Sequence, residues 1–257
     1  MKTFDNTKIS CITTLLGVIL VSSCGNHAEK SAQNDSVNTE AVSVRDSARV
    51  SGTDCNVQIS GINFTKSING ADTLTSLDSR GKVKFSVGEK KDYFSDPNGK
   101  LSNTSAPILL SKVDNTKPFT LTAKVTPGFT EKGMYSAGVL YLYVNDNFYQ
   151  KYCFEQDERG KHRMVTVRTI GTSDDNNHDI VESPWVYMKI TSDTQTVASY
   201  YSMDKKNWYM VRLYQNNYPK ELWVGLSSQS PVDKGMVSDF EEVTLTQESV
   251  KDLRMGN

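Results

Sequence analysis

The chain is poor in the residues from which metal and nucleophile centres are most often built. It has three histidines and four cysteines in 257 residues, little material for a histidine/cysteine zinc cluster. Neither sign of charge is in excess, 29 basic residues facing 30 acidic ones. A nucleic-acid binder working through bulk charge needs a basic excess or stripe, so that class is excluded. Hydrophobic content of 37% beside 23% charged suits a water-soluble globule and is too lean for a polytopic membrane protein. No Gly-x-Ser-x-Gly elbow, phosphate loop or dinucleotide fingerprint occurs. Tyrosine, by contrast, is plentiful: twelve against nine phenylalanines and three tryptophans. Tyrosine-rich chains often belong to sheets and to polar binding faces.

The first residues read as an address. Lys2 and Lys8 precede the apolar run Ile12 to Val21, and Ser22 and Ser23 lead into Cys24, the layout of a secretory signal. At about 1.5 Å per residue, that run is too short to cross a hydrocarbon core of about 30 Å as a helix. Val21-Ser22-Ser23-Cys24-Gly25 resembles the bacterial lipoprotein box, in which cleavage falls before the cysteine. The resemblance implies a signal over residues 1–23 and a lipidated Cys24 that ties the protein to a membrane. Two or three acyl chains suffice for stable anchoring. An outer-membrane location, on the periplasmic or surface face, is the expectation. Removal of the signal leaves 27 basic to 29 acidic residues. Residues 24–56 are rich in Ser, Asn, Asp, Ala and Glu without an aromatic residue, and are expected to form a flexible tether. Of the cysteines, Cys55 and Cys153 would remain as thiols; outside the cytoplasm such a pair can bridge, but the sequence does not fix their separation.

Residues 57–257 read as one all-β sandwich domain. Lys82 to Val87 and Phe119 to Val125 alternate strictly, and further strand-like runs are Ala137–Val144, Phe148–Glu155, Met164–Ile170, Val186–Thr191, Val197–Ser202, Trp208–Leu213, Leu222–Ser227 and Val237–Leu245. Turn chemistry separates them: Asp96-Pro97-Asn98-Gly99, Asn145-Asp146-Asn147, Arg159-Gly160, Asp174 to Asn177 and Asn216-Asn217. No amphipathic helical period is sustained and no internal repeat is found. Parity places Tyr141 and Tyr143 on one face of their strand, opposite Leu140 and Leu142. Tyr149, Lys151, Cys153 and Glu155 share a face of the next strand, and Thr166 and Arg168 lie opposite Val165 and Val167. Two readings stand: an ordinary solvated outer face, or a polar, aromatic groove suited to sugar.

The order of motifs resembles one family. Lys91-Asp92-Tyr93-Phe94, Pro118 to Val125, Ser136 to Leu140, Lys151 with Glu155, Ser173-Asp174, Tyr201 to Asp204 with Trp208, Val224 to Pro231 and Val237 to Phe240 are similar, in series, to domain of unknown function 1349, which includes the fungal "regulation of enolase" proteins. The resemblance covers roughly residues 80–247. It implies the concanavalin A-like lectin/glucanase superfamily and a two-sheet jelly roll with a concave face. This chain departs from the family at Phe94, Tyr149 and Asp175, where tryptophan is common.

The candidate ligand-binding set is therefore Asp92, Tyr141, Tyr143, Tyr149, Lys151, Glu155 and Arg168. Tyrosines would stack on sugar while the charged groups bond hydroxyls. Glu155 matches the family's glutamate and is the candidate catalytic residue; with Lys151 nearby, its pKa is expected to be low. Asp157, two residues on and on the same face, would stand about 7 Å away, within the carboxylate spacing of glycosidases. No cofactor is expected, although an Asp-rich loop carrying Asp174, Asp175, His178 and Asp179 would suit calcium; His162 stands alone. Three functions follow: a lipid-anchored carbohydrate binder with an oligo- or polysaccharide partner, a glycoside hydrolase using Glu155, or an envelope interaction module without a small ligand.

Overall fold

The computed structural model describes residues 51–257; the expected signal, the expected lipidation at Cys24 and most of the expected tether lie outside the described residues. Seventeen strands and no helix occur among them. In chain order they begin with β1 (Thr53–Ile59), β2 (Ile62–Ile68), β3 (Thr75–Leu77), β4 (Val83–Gly88), β5 (Tyr93–Ser95) and β6 (Ser102–Thr104). Next come β7 (Ile108–Asp114), β8 (Phe119–Pro127), β9 (Ala137–Asn145), β10 (Phe148–Gln156), β11 (His162–Ile170) and β12 (Thr172–Ile180). The last are β13 (Val186–Ser192), β14 (Thr196–Ser202), β15 (Tyr209–Gln215), β16 (Glu221–Gln229) and β17 (Gly235–Thr246). An eight-stranded sheet has the order β1-β2-β7-β16-β9-β10-β11-β12, and a seven-stranded sheet the order β15-β14-β13-β8-β17-β4-β3. All pairings are antiparallel. The expected two-sheet sandwich is what the chain forms.

Its core follows from the alternation read in sequence. Leu121, Ala123 and Val125 of β8 and Ile190 of β13 meet Leu140 and Leu142 of β9, Phe154 of β10 and Val224 and Leu226 of β16, all fully buried between the sheets. Burying such a side chain contributes about 1.5–3 kcal/mol over leaving it exposed, so the parity that fills this layer fixes register. A second buried cluster lies on the other face of the eight-stranded sheet, and it carries the site described below.

Two expectations are corrected and one open question is answered. Asp174 to Asn177 form no turn; they sit in β12, whose one partner, β11, leaves it an edge, and an edge strand tolerates a polar sequence. The ordered fold starts earlier than residue 57, because Thr53 and Asp54 already pair with β2. Cys55 and Cys153 are both free thiols. They lie in β1 and β10 of one sheet with four strands between them, roughly 24 Å at about 4.8 Å per strand, far beyond disulfide reach.

Candidate functional site

The outer face of the eight-stranded sheet, turned away from the seven-stranded one, gathers the predicted polar residues through register. Tyr141 of β9 stands opposite Lys151 of β10, and Tyr143 opposite Tyr149. Cross-strand partners share a face, so these residues form one surface. That surface is covered. The segment from Lys91 to Ser95 crosses it, bonded backbone to backbone at Lys91 and Ser230 (3.1 and 2.9 Å) and from the Ser95 amide to Ser173 Oγ at 3.0 Å. Tyr93 from this strap packs edge-on against Tyr141, Tyr143 and Tyr149 at ring distances of 6.4, 6.2 and 5.3 Å.

The tyrosines expected to line an open groove are thus 0–1% exposed. Two hydroxyls of the cluster meet at the exposed loop residue Asp146: Tyr93 donates to its Oδ1 at 2.6 Å, Tyr143 donates to the same oxygen and Ser51 Oγ donates to it at 3.0 Å, whereas the buried Tyr141 Oη has no hydrogen-bond partner among the described residues. Burial alone would raise the carboxyl pKa of Asp146, but these donors hold it below the usual range.

What stays polar at this face is a chain of side chains at one end of the cluster. Lys151 Nζ donates to Asp92 Oδ1 at 3.0 Å and to Gln229 Oε1 at 3.1 Å. Gln229 Nε2 donates to the Tyr135 carbonyl at 2.9 Å and to Glu155 Oε2 at 3.3 Å. The sequence makes this reach possible, because Ala137 lies between Gln229 and Glu155 in the register and its methyl leaves the space open. Lys151 is 2% and Glu155 7% exposed. Burial opposes the charge of Lys151, yet the Asp92 carboxylate keeps its pKa above the ordinary lysine value. Glu155 behaves otherwise than expected: burial pushes its pKa well up despite Lys151, since the ammonium bonds Asp92 and Gln229 rather than Glu155. Burial likewise raises Asp175, which feels both Lys151 and Asp92. Asp175 and Tyr135 are exposed, and Asp92 and Phe94 half-buried, so this end meets solvent.

Asp92, Lys151 and Glu155 are therefore brought together, and Tyr141, Tyr143 and Tyr149 lie beside them as buried packing. Arg168 is not part of the group. It pairs with Gln150, whereas Lys151 pairs with Val167, which puts Arg168 on the inter-sheet side with its guanidinium 4.7 Å over the Tyr214 ring. The parity of β11 was right, but the polar side of that strand faces inward and its valines face the site. Asp157 is also occupied, accepting from Arg163 Nε at 2.9 Å and from the backbone of Arg159 and Lys161, each at 2.8 Å. It fastens the turn between β10 and β11 and is no second catalytic acid. Among the described residues, no group of three His, Cys, Asp or Glu side chains stands ready for a metal ion; Asp174 pairs with Arg212 and Asp179 accepts from Tyr201. His162 stacks on Phe129 at 4.0 Å. Sequence reasoning missed Gln229 and Tyr135 as site residues and named Asp175 only for calcium and as a departure from the family, although Gln229 lies within a motif that carried the family resemblance.

The profile described as "Protein of unknown function (DUF1349)" matches residues 71–248, a span that includes Asp92, Lys151, Glu155 and Gln229. The chain belongs to the DUF1349 family. No curated protein matches it. Among solved structures, a functionally unknown protein from Saccharomyces cerevisiae is similar at 20% identity and a TM-score of 0.64, covering 72% of this chain and 97% of that one. Bacteroides ovatus Xyloglucan PUL GH43B is similar at 13% identity and a TM-score of 0.56, covering 76% of this chain. A xylan beta-1,4-xylosidase from Bacillus halodurans is similar at 14% identity and a TM-score of 0.53, covering 75%. The likeness takes in 38% of each of those two longer chains. At these identities the shared feature is the sandwich of this DUF1349 member.

Proposed function

We propose that this protein binds carbohydrate at the solvent-facing end of the Asp92–Lys151–Gln229–Glu155 chain, as a lipid-anchored protein of the bacterial cell envelope. The observation that carries the reading is the burial of a charged lysine and an acidic side chain on a sheet face that already packs well. Desolvating such groups costs several kcal/mol unless they are paired, and a hydrophobic face would stabilise the fold without that cost. The hydrogen-bonding capacity of Asp92 and Glu155, held in place by the buried Gln229 and bordered by Phe94 and Tyr135, suits sugar hydroxyls. The lipoprotein box at Cys24 and the polar run after it supply the anchor and tether. The near-neutral balance favours a neutral glycan. Two similar structures are of proteins named for xyloglucan and xylan, so xylan-derived oligosaccharides are the first ligands to test.

A second reading, glycoside hydrolysis, is favoured by one feature. Burial raises the pKa of both Glu155 and Asp175 at one end of the site, and a raised carboxyl is what a general acid requires.

Titration calorimetry with xylohexaose tests the first reading. The wild type is expected to bind, and Gln229→Leu and Glu155→Ala, folded by circular dichroism, are expected to lose at least tenfold in affinity. Unchanged binding in both variants, or none to any neutral glycan by the wild type, would overturn the site. Sugar release that stops in Glu155→Gln would move the conclusion to the hydrolase.

A further inference from the structure

Stacking on sugar needs an exposed ring; at the site above Tyr141, Tyr143 and Tyr149 are covered, while Tyr135 is exposed. A second exposed group of rings lies elsewhere. Tyr201 near the end of β14 and Tyr209 at the start of β15 are cross-strand partners, and their rings stack at 5.1 Å with 24° between planes. Tyr209 is 53% exposed. With Ile180, Glu182, Ser183 and Met203 the pair lines a hollow of about 270 Å³. Ile180 and Met203 are themselves 50% and 37% exposed. Three exposed large apolar residues meeting at one hollow differ from the single scattered ones that need no explanation.

The polar rim narrows the occupant. Asp179 Oδ2 accepts from Tyr201 Oη at 2.8 Å and lies 3.3 Å from His178 Nδ1, so the carboxylate is held in place beside the stacked rings. Glu182 adds a second carboxylate. A rim of carboxylates accepts hydrogen bonds and repels anions. The fitting ligand has one apolar face, a ring of hydroxyl donors and no negative charge. A pyranose meets all three conditions, its C–H face against Tyr209 and its hydroxyls toward Asp179 and Glu182. The hollow lies just below the range of about 300–1,000 Å³ of drug-sized ligand sites, the scale of a short stretch of glycan. Along β12 it stands five residues from Asp175, roughly 17 Å at about 3.4 Å per residue, at the sheet edge where β14 and β15 approach rather than on the outer face.

We infer that the Tyr201–Tyr209 hollow is a second, stacking subsite for a neutral glycan chain. It rests on the carbohydrate reading of the protein but not on the Lys151 network. Affinity electrophoresis of the full chain in soluble xylan tests it, with Tyr209→Ala, Tyr209→Phe and Gln229→Leu compared at equal thermal stability. Tyr209→Ala is expected to weaken retention about tenfold, and Tyr209→Phe, which keeps the ring, to retain wild-type mobility shift. Loss in Tyr209→Ala with Gln229→Leu unaffected would support the hollow and remove the Lys151 network from ligand binding. Loss in Gln229→Leu alone would overturn the hollow and leave the first site standing. No retention of the wild type on xylan or on any neutral glycan would overturn both. Binding of a lysine-rich peptide at Tyr209 in place of glycan would also overturn the inference, the rim then serving a cationic partner.

Discussion

At the scale of single residues, Glu155 separates the two functional readings by its protonation. Its unfolded pKa is about 4.3, and burial raises the folded value well above that. A raised folded pKa gives stability that is fully present below the unfolded value and is lost as pH rises through the folded one. Glu155→Gln carries no such titration, and its amide oxygen still accepts from Gln229 Nε2. The variant is therefore expected to gain stability relative to the wild type as pH rises, with the gap smallest near pH 4. Thermal unfolding by circular dichroism between about pH 4 and pH 9 reads this directly. A wild type that instead gains on the variant with rising pH would show that Glu155 is held ionised, which the general-acid reading excludes.

At the scale of elements, the strap Lys91–Ser95 decides what the outer face is. Strand parity from sequence placed Tyr141, Tyr143, Tyr149, Lys151 and Glu155 on one surface because β9 and β10 alternate cleanly. It misplaced Arg168, because the alternation of β11 shows two faces without saying which of them pairs beside Lys151. Burial was the larger gap. The residue that covers the tyrosines, Tyr93, lies 48 positions before Tyr141, and periodicity within a strand carries no information about what crosses it. The long polar strand β12 was illegible for a related reason, since turn-forming residues are tolerated where only one neighbour is present. The strap's own weight can be measured. Tyr93→Ala removes a ring packed on three others and is expected to cost about 3–5 kcal/mol, as for other large aromatic truncations. Tyr93→Phe keeps the ring and removes the hydroxyl with its bonds to Asp146 and Tyr143, and is expected to cost about 1.5–3 kcal/mol. Urea midpoints at constant slope give both values; equal losses would mean that the hydroxyl, not the ring, holds the strap down.

At the scale of the whole molecule, the sandwich is covered on both of its outer faces. Opposite the strap, the segment after β17 crosses the seven-stranded sheet. Thr120 Oγ1 donates to the Glu248 carbonyl at 2.7 Å, Tyr200 Oη to that of Leu253 at 2.5 Å and Lys189 Nζ to that of Gly256 at 2.8 Å. Gly256 takes a positive φ of 77° where an added Cβ would come within 2.8 Å of the Tyr200 ring and 2.9 Å of Trp208, so only glycine fits there. Closure of this kind explains how a chain of 37% hydrophobic content keeps so many tyrosines, serines and threonines buried. Its consequence is that a lysine is buried with no carboxylate of the described residues beside it. Lys189 lies 3.5 Å over the Trp208 ring, and burial pushes its pKa down to about 8. A lowered folded pKa means stability that is present above the unfolded value of about 10.4 and is lost as pH falls through the folded one. Lys189→Met removes that titration, while the lost contacts to Gly256 and Trp208 shift its stability by an amount with little pH dependence. The wild type is therefore expected to gain on Lys189→Met as pH rises from about 7 to about 10. Paired thermal melts across that range measure the difference, and a gap that stays constant would show that the segment after β17 leaves Lys189 in contact with water.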